Sequence, residues 1–422
     1  MTENIKKETQ KVILVLADTG EYDAESSLKE LTELAKTAGA EVIGQCVQKK
    51  QNIDSATYIG SGRLIELGEQ AESLEADFVI FDTDLTAVQM KNIEKVVKCK
   101  IIDRTTLILD IFAANARTAE GRIQVELAQL KYSLPRLQGK GLEMSRIGGG
   151  SAGGLSNRGA GETKLEYDRR HIRRRIHTLT EELEELKKRR EATRSRRKKD
   201  SVLSAAIVGY TNVGKSTLLN ALTDAGVLAE NKLFATLDTT ARSIELPDGR
   251  SVLLIDTVGL LRRLPHHLVE AFKSTLEEAA SCDLLINIID LSSPEGYEQA
   301  RVTESLLAEL GCGEIPQINV LNKCDKVSDI NDIRLDSKTV MISAKKGFGI
   351  EKLLECISQN LPATTLRRKF LIPFKEAAIT AQIRENGKIF SEDFTEDGIE
   401  IDCLIDVKFY AKIDKYRTED KI

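Results

Sequence analysis

One short stretch constrains the fold of this chain more than any other. Gly209 to Ser216 reads GYTNVGKS and matches the phosphate-loop pattern G-x-x-x-x-G-K-[ST]. It lies between an apolar run that is typical of a buried strand and a helical pattern that begins near Lys215. In that setting the glycines let backbone N–H groups turn toward phosphates, the lysine supplies a positive charge, and Ser216 offers a hydroxyl to Mg²⁺. A plain glycine turn is the alternative, and the flanking strand and helix argue against it.

The region around this loop predicts a parallel sheet with helices on both faces. Short apolar runs alternate there with helical stretches, which is typical of the α/β class. The runs are Ser204 to Val208, Val252 to Ile255, Leu284 to Ile289, Ile318 to Leu321 and Thr339 to Ile342. We therefore expect residues 201–363 to form a P-loop domain.

The chain has 422 residues, which is too long for a single hydrophobic core, so further domains are expected on either side. Residues 1–104 predict a small α/β domain, with strands at Lys11 to Ala17, Glu41 to Val47 and Phe78 to Phe81. Residues 364–422 predict a βαββ domain, built from Lys369 to Phe374, Ala377 to Glu385, Gly387 to Phe394 and Ile399 to Tyr410.

Residues 105–200 have a helical period instead. One apolar face precedes Pro135, and a second has the alternating spacing of a coiled-coil seam. The two sets are Ile123, Leu127, Leu130 and Leu134, then Ile172, Ile176, Leu179, Leu183 and Leu186. A basic, glycine-rich loop from Gly139 to Gly161 separates them, and Arg194 to Asp200 reads as a linker. This arrangement predicts an antiparallel helical hairpin with the loop at its tip.

Three motifs after the phosphate loop stand in the order of a GTPase. In Asp256-Thr-Val-Gly259, the aspartate can reach Mg²⁺ through water and the glycine N–H can meet the γ-phosphate. In Asn322-Lys323-Cys324-Asp325, the last carboxylate can accept hydrogen bonds from N1–H and the 2-amino group of guanine. Adenine offers neither donor and would leave that carboxylate unpaired, so the motif selects guanine. Ser343-Ala344-Lys345 supports this, since it can place an N–H against guanine O6.

Phe234 to Arg242 is the candidate first switch loop, which needs a hydroxyl for Mg²⁺ and an N–H for the γ-phosphate. Thr236 is our choice for the hydroxyl, and Thr239 and Thr240 remain alternatives. Leu260 stands where Ras-like enzymes place a water-orienting glutamine, so unaided hydrolysis should be slow. Asn212 resembles the asparagine that helps to hold K⁺ in some GTPases, and a turn-favouring asparagine is an equal alternative.

The predicted contacts with the nucleotide span all of these motifs. Lys215, Thr236 and Gly259 are the candidate catalytic residues, and Ser216, Thr236 and (through water) Asp256 are the candidates for Mg²⁺. The remaining contacts are Gly209, Tyr210, Thr211, Asn212, Val213, Gly214, Thr217, Phe234, Ala235, Leu237, Asp238, Thr257, Val258, Asn322, Lys323, Asp325, Ser343, Ala344 and Lys345. The expected ligand is GTP or GDP, with Mg²⁺ as cofactor and K⁺ as a further candidate.

Composition excludes several other classes of protein. No apolar run is long enough for a membrane span, and the seven cysteines include no C-x-x-C pair for zinc. None of the four histidines has partners spaced for a metal site. We expect reduced thiols, a cytoplasmic protein and a monomer. The net charge of −5 suggests no nucleic-acid partner, although basic residues concentrate between Arg158 and Lys199. On charge alone, that stretch is best interpreted as a solvated helix face.

Several longer strings are more specific than the nucleotide motifs. They are Tyr58-Ile-Gly-Ser-Gly-Arg63, Phe81-Asp-Thr-Asp-Leu85, Arg104-Thr-Thr-Leu-Ile-Leu-Asp-Ile-Phe112, Glu120-Gly-Arg-Ile-Gln-Val-Glu-Leu-Ala-Gln-Leu130, Leu134-Pro-Arg-Leu137, Arg158-Gly-Ala-Gly-Glu-Thr163 and Asp168-Arg-Arg170. Through them the chain resembles the HflX family of ribosome-associated GTPases along nearly its whole length. Phe234-Ala-Thr-Leu-Asp238 looks like that family's own first switch, which is the reason for preferring Thr236.

The resemblance implies a protein that binds the large ribosomal subunit, through rRNA and ribosomal proteins, and in some members splits ribosomes under stress. It also implies that the hairpin tip approaches the peptidyl-transferase region, which makes rRNA the expected partner of the basic stretch. A GTP-dependent RNA-modifying enzyme and a signalling GTPase with a protein partner remain as alternatives. The N-terminal region offers no nucleophile, cofactor loop or metal cluster that would favour the first of these.

Overall fold

The computed structural model describes residues 9–139, 158–199, 202–223, 233–234, 240–263, 265, 268, 278–327, 335–363 and 365–418. The chain divides into two units, which we describe in turn. The first consists of Met1–Arg190, Glu230–Asp238 and Arg263–Ser274, and the second of Glu191–Ala229, Thr239–Arg262 and Thr275–Ile422.

The first unit contains a four-stranded parallel sheet. Its strands are β1 (Gln10–Asp18), β2 (Ala40–Lys49), β3 (Phe78–Phe81) and β4 (Lys100–Asp103), in the order β2-β1-β3-β4. The helices that follow them are α1 (Ala24–Thr37), α2 (Ser61–Ser73), α3 (Ala87–Glu94) and α4 (Arg104–Asn115). Strand β4 escaped the sequence analysis because only two of its four residues, Ile101 and Ile102, are apolar.

Side-chain caps fix where several of these helices begin. Asp23 accepts a hydrogen bond from the backbone of Ser26 at the start of α1, and Thr86 forms a capping box with Gln89 at the start of α3. Asp103 caps α4 by accepting from the N–H of Thr106 at 2.9 Å. The sheet core is apolar and fully buried, and it includes Ile13, Val15, Tyr58, Val79 and Phe81.

A helical region completes the first unit and continues into the second. Helix α5 (Ala119–Ser133) leads into a short 3-10 helix (Leu134–Gly139), and α6 (Arg158–Lys199) is a 42-residue helix. Ion pairs join Glu120 to Arg190 and Glu126 to Arg175, the chain order that an antiparallel pair requires. The segment from Arg194, predicted to be a linker, is helical as far as Lys199, where α6 ends. Most of the predicted glycine-rich loop lies outside the described residues.

The second unit holds a six-stranded sheet with the order β10-β9-β8-β5-β7-β6. Its strands are β5 (Leu203–Gly209), β6 (Thr240–Glu245), β7 (Ser251–Asp256), β8 (Leu284–Asp290), β9 (Gln317–Asn322) and β10 (Thr339–Met341). The helices described here are α7 (Lys215–Thr223), α8 (Gly296–Glu309) and α9 (Ile350–Asn360). The predicted parallel strands are confirmed. Strand β6 adds an antiparallel edge that its mostly polar sequence did not reveal.

The C-terminal part of this unit has the predicted βαββ order, in an antiparallel sheet ordered β11-β13-β12. The elements are β11 (Thr365–Ile372), α10 (Ala378–Asn386), β12 (Gly387–Thr395), β13 (Gly398–Asp406) and α11 (Val407–Ile413). The last strand was predicted to reach Tyr410, which is wrong because the chain turns into α11 after Asp406. Within the described ranges, no helix is both long and apolar enough to cross a membrane.

Candidate nucleotide-binding site

The phosphate loop joins β5 to α7 and has a tightly curled backbone. Gly209 and Gly214 have φ angles of 146° and 101°, which side chains other than glycine rarely adopt. A Cβ on Gly214 would lie 2.4 Å from the side-chain nitrogen of Asn322. Asn212 has φ of 61°, a left-handed conformation that asparagine tolerates. The turn interpretation of Asn212 thus has a local physical reason.

Lys215 stands at the first position of α7 and is almost completely buried. Its Nζ donates to the carbonyls of Tyr210 at 2.7 Å and Gly209 at 3.2 Å, so the ammonium group is held within the curl of its own loop. Burial lowers the pKa of Lys215 to about 8, and the attraction of Asp256 opposes this only in part. A buried cation with few partners is suited to an anionic ligand, which would restore its charged state.

Three groups predicted for the phosphates and Mg²⁺ come together next to this lysine. The hydroxyl of Ser216 donates to a carboxylate oxygen of Asp256 at 2.8 Å, and Asp256 is fully buried. A Cβ on Gly259 would approach Lys215 Nζ to 3.0 Å and Thr211 Cγ2 to 2.7 Å. Glycine at position 259 therefore keeps the backbone close to the lysine.

Leu260 is fixed by the phosphate loop itself. Its N–H donates to the carbonyl of Gly209 at 3.2 Å, and its carbonyl accepts from the N–H of Thr211 at 2.9 Å. The side chain is 4 % exposed. An apolar side chain therefore occupies the position at which Ras-like enzymes have a glutamine. This side chain has no polar atom with which to orient a water molecule.

The base-reading motif is tied to the same loop. Asn322 is buried, and its side chain donates to the carbonyl of Val213 at 2.8 Å and accepts from the N–H of Ala344 at 3.0 Å. Asp325 accepts a hydrogen bond of 2.7 Å from the hydroxyl of Ser343, which holds the pKa of that carboxyl below its usual value. Asn322 thus connects its own base-reading motif to the segment at Ala344 and to the phosphate loop, which lies more than a hundred positions earlier in the chain.

One residue of this constellation was missed by the sequence analysis. Asp290, at the end of β8, forms an ion pair of 2.6 Å with Lys323, whose Nζ also donates to the carbonyl of Asn212 at 2.7 Å. Lys323 has a left-handed φ of 63°, so these bonds hold the motif in an unusual backbone conformation. An aspartate directly after an apolar strand was a usable signal for this role.

The other residues predicted to contact the nucleotide differ in their hydrogen bonds and in their burial. Tyr210 accepts at its hydroxyl from the N–H of Arg262 at 2.9 Å, and Thr257 donates to the carbonyl of Ile207 at 2.7 Å. Val258 is buried, Thr217 is half-buried and Lys345 is exposed. Thr236, our choice for Mg²⁺, lies outside the described residues together with Ala235, Leu237, Asp238, Thr239, His266 and His267.

Phe234, at the start of the first switch loop, and Arg263 both belong to the first unit and contact its helices and strands. Phe234 packs edge-on against Phe112 at 4.5 Å, and its carbonyl accepts from the side chain of Asn115 at 2.9 Å. Arg263 donates to the buried carboxylate of Asp82 at 2.5 Å and lies over the ring of Tyr22 at 4.2 Å. Neither pairing is visible in the sequence, because the partners are far apart in the chain.

Comparisons with known proteins agree with this geometry. Family models match residues 25–113 as a GTP-binding GTPase N-terminal region, 115–197 as its middle region, and 204–323 as a 50S ribosome-binding GTPase. A GTPase HflX of Caldanaerobacter subterraneus subsp. tengcongensis is 51% identical over 399 residues, which cover 94% of this chain and 92% of that protein. The chain belongs to the HflX family of GTPases. Its resemblance to that family, read first from the motifs, is confirmed, and with it the P-loop GTPase fold.

More distant relatives match over a similar length. GTPase HflX of Escherichia coli is 38% identical over 395 residues, covering 92% of this chain and 91% of its own. Among solved structures, a GTP-binding protein of the archaeon Sulfolobus solfataricus in complex with GDP is 26% identical, with a TM-score of 0.44 over 83% of this chain and 98% of that one. Its identity to curated HflX proteins over nearly the whole chain makes this protein a GTPase, while the roles of its individual site residues and its domain boundaries stay predictions.

Proposed function

We propose that this GTPase binds the large ribosomal subunit when it carries GTP and releases it after hydrolysis. The observation that carries the proposal is the bridge made by Asn322, which joins the phosphate loop at Val213 to the base-reading segment at Ala344. A guanine base and its phosphates would therefore be held by one connected set of bonds. The family model for a 50S ribosome-binding GTPase supports the choice of partner.

In this proposal each motif has a distinct role. Lys215 binds the β- and γ-phosphates, Gly259 donates its N–H to the γ-phosphate, and Asp325 selects guanine. Thr236 is the proposed first-switch ligand. When the γ-phosphate leaves, the switch loops lose its contacts, and the affinity for the subunit falls.

The pair formed by Ser216 and Asp256 fits Mg²⁺. Both groups are oxygen donors, they lie 2.8 Å apart, and the ion prefers oxygen ligands together with several waters. Bound there, Mg²⁺ would neutralise phosphate charge. We also propose the cytoplasm as the location, as ribosome binding requires.

The exposed arginines Arg170 and Arg174 of α6 support rRNA as the direct contact. Cations on one helix face attract phosphate even though the chain carries a net charge of −5. The rival, a signalling GTPase with a protein partner, predicts binding that depends little on salt. Whether the complex leads to ribosome splitting would follow from a second sedimentation experiment, in which intact ribosomes are mixed with the full chain and the GTP analogue and the free subunits are measured.

Sedimentation with purified large subunits tests the proposal. The full chain should pellet with the subunits in the presence of a non-hydrolysable GTP analogue and stay in the supernatant with GDP. Lys215→Ala should abolish the difference because it removes the phosphate ligand. Equal pelleting with both nucleotides, or none with the analogue, would contradict the proposal. A shallow salt dependence would favour the protein partner.

Potassium dependence is a separate part of the proposal, and it rests on Asn212. Hydrolysis by the full chain should be faster in KCl than in NaCl of the same ionic strength, and Asn212→Ala should remove that preference. Equal rates in the two salts would leave Asn212 with the turn role that its φ of 61° already explains.

A further inference from the structure

An exposed tyrosine lies on the long helix. Tyr167 of α6 is 69% exposed, although large apolar rings are mostly buried in folded proteins. Helical spacing places it on one face with Arg170, His171 and Arg174, three, four and seven residues further along. The apolar seam through Ile176 and Leu179 lies on the opposite face. Packing within the helical pair therefore does not account for Tyr167.

The cations beside this ring differ from other arginines on the same helix. Arg175 pairs with Glu126, Arg190 with Glu120, and Arg173 approaches Glu166. Arg170 and Arg174 are exposed and form no ion pair with any residue that the structure describes. Two guanidinium groups are thus available to a ligand on the face that carries Tyr167.

We propose that this face, formed by Tyr167, Arg170, His171 and Arg174, binds an unpaired RNA nucleotide, with its base stacked on the tyrosine ring. Every base has a π-face, so an exposed aromatic side chain flanked by arginines suits single-stranded or splayed-out RNA. Arg170 and Arg174 contact the neighbouring phosphates. The inference rests on the proposed function, because the large subunit supplies the RNA, and it adds the chemical group that is recognised.

The geometry favours RNA over an acidic protein segment. An acidic peptide would need the cations but not a flat ring that is open to solvent on the same face. Arginines one and two turns from the tyrosine lie about 5 and 10 Å away along the helix axis. Two successive phosphates on one side of a stacked base can therefore be reached without movement of the backbone.

Binding of the full chain to large subunits, with the GTP analogue, tests this inference. Tyr167→Ala should weaken binding about tenfold, and Tyr167→Phe should keep wild-type affinity, because the ring and not the hydroxyl makes the stack. Arg174→Gln should reduce the slope of log affinity against log salt by about one. Tyr297→Ala is the matched control, since Tyr297 is 61% exposed on α8 beside glutamates, and it should have no effect.

Chemical probing of the subunit rRNA identifies the contact. An unpaired base should be protected by the wild-type chain and by Tyr167→Phe, and exposed again with Tyr167→Ala. Equal binding by wild type and Tyr167→Ala would overturn this inference alone, as would a weakened Tyr167→Phe or unchanged base reactivity. A wild-type chain that does not bind with the GTP analogue would overturn the proposed function and, with it, this inference.

Discussion

Both large sheets of this chain have charged residues at the carboxyl ends of their parallel strands, but these charges have different kinds of partner. At the end of β5, Lys215 donates to backbone carbonyls of its own loop, and these are its only hydrogen-bond partners among the residues that the structure describes. At the ends of β3 and β4, by contrast, Asp82 and Asp103 are already paired with side chains. Both sheets belong to the same architectural class, in which ligands usually bind at this edge.

The contrast is clearest in the buried charges. Asp82 accepts from Arg104 at 2.6 Å and from Arg263 at 2.5 Å, and Asp103 accepts from the hydroxyl of Tyr132 at 2.6 Å and contacts Arg136 at 3.0 Å. Such buried groups need partners to offset their desolvation. In the first unit the partners come from the chain itself, so those carboxylates stabilise structure. In the second, the lysine has capacity left for a ligand.

The largest expected effect is on base selection by the second sheet. Asp325→Asn should change the ratio of GDP to xanthosine diphosphate affinity by about 10⁴-fold, because asparagine presents a donor where guanine requires an acceptor. Calorimetry with both nucleotides measures the change. Asp336→Asn, at an exposed aspartate in the same unit, is the control. A variant that keeps its GDP preference would mean that Asp325 does not read the base.

The next effect concerns the stability of the first sheet. Asp82→Ala should lower the free energy of opening around β3 by about 3 kcal/mol, since it removes a carboxylate partner from buried Arg104. Hydrogen exchange of the β3 amides in the full chain measures this. Asp18→Ala, at the half-buried end of β1, should cost less than about 1 kcal/mol. Unchanged protection would show that the pairing contributes little.

The pH dependence of nucleotide binding tests whether the ammonium group of Lys215 binds a phosphate. Its pKa is about 8 in the protein alone, and a bound phosphate should raise it, so binding takes up a proton above that pH. GTP affinity should therefore be flat below pH 8 and fall by up to about tenfold per pH unit above it. Guanosine, which has no phosphate, should not show the fall attributed to Lys215. A flat GTP profile up to pH 9.5 would contradict the assignment.

The smallest expected effect comes from one hydroxyl in the first unit. Tyr132→Phe removes the donor to Asp103, but Arg136 and Thr106 remain as partners. The opening free energy around β4 should fall by about 1.5 kcal/mol, as for a hydrogen bond to a charged group. Tyr297→Phe, at an exposed tyrosine, is the control in the same exchange experiment. Unchanged exchange of the β4 amides would mean that the remaining partners satisfy Asp103 without the tyrosine hydroxyl.

The sequence predicted best those features that lie within short contiguous stretches. The phosphate loop, Asp256 to Gly259 and Asn322 to Asp325 each combine a charge with a strand end, the first two also contain glycine, and the structure brings all three together. Strand β4 and the antiparallel edge β6 were missed because few of their residues are apolar, two of four in β4 and two of six in β6. Alternation and apolar content identify only strands with a buried face.

Pairings between distant residues were beyond the sequence for a different reason. Arg263 and Asp82 are 181 positions apart, and nothing in either local sequence specifies the other. Asp290 was within reach, since it directly follows an apolar strand. Tyr167 was also visible in the sequence as one tyrosine among charged residues, and only its 69% exposure in the structure distinguishes it from a core residue.

The length of α6 has a mechanical consequence. A 42-residue helix measures about 63 Å from end to end, which exceeds the width of many small domains. Such a rod acts as a lever: tilting one end by about 5° moves the other through about 5 Å, more than a hydrogen bond can stretch. Small angular adjustments near Lys199 would thus suffice to make or break contacts made at the Arg158 end.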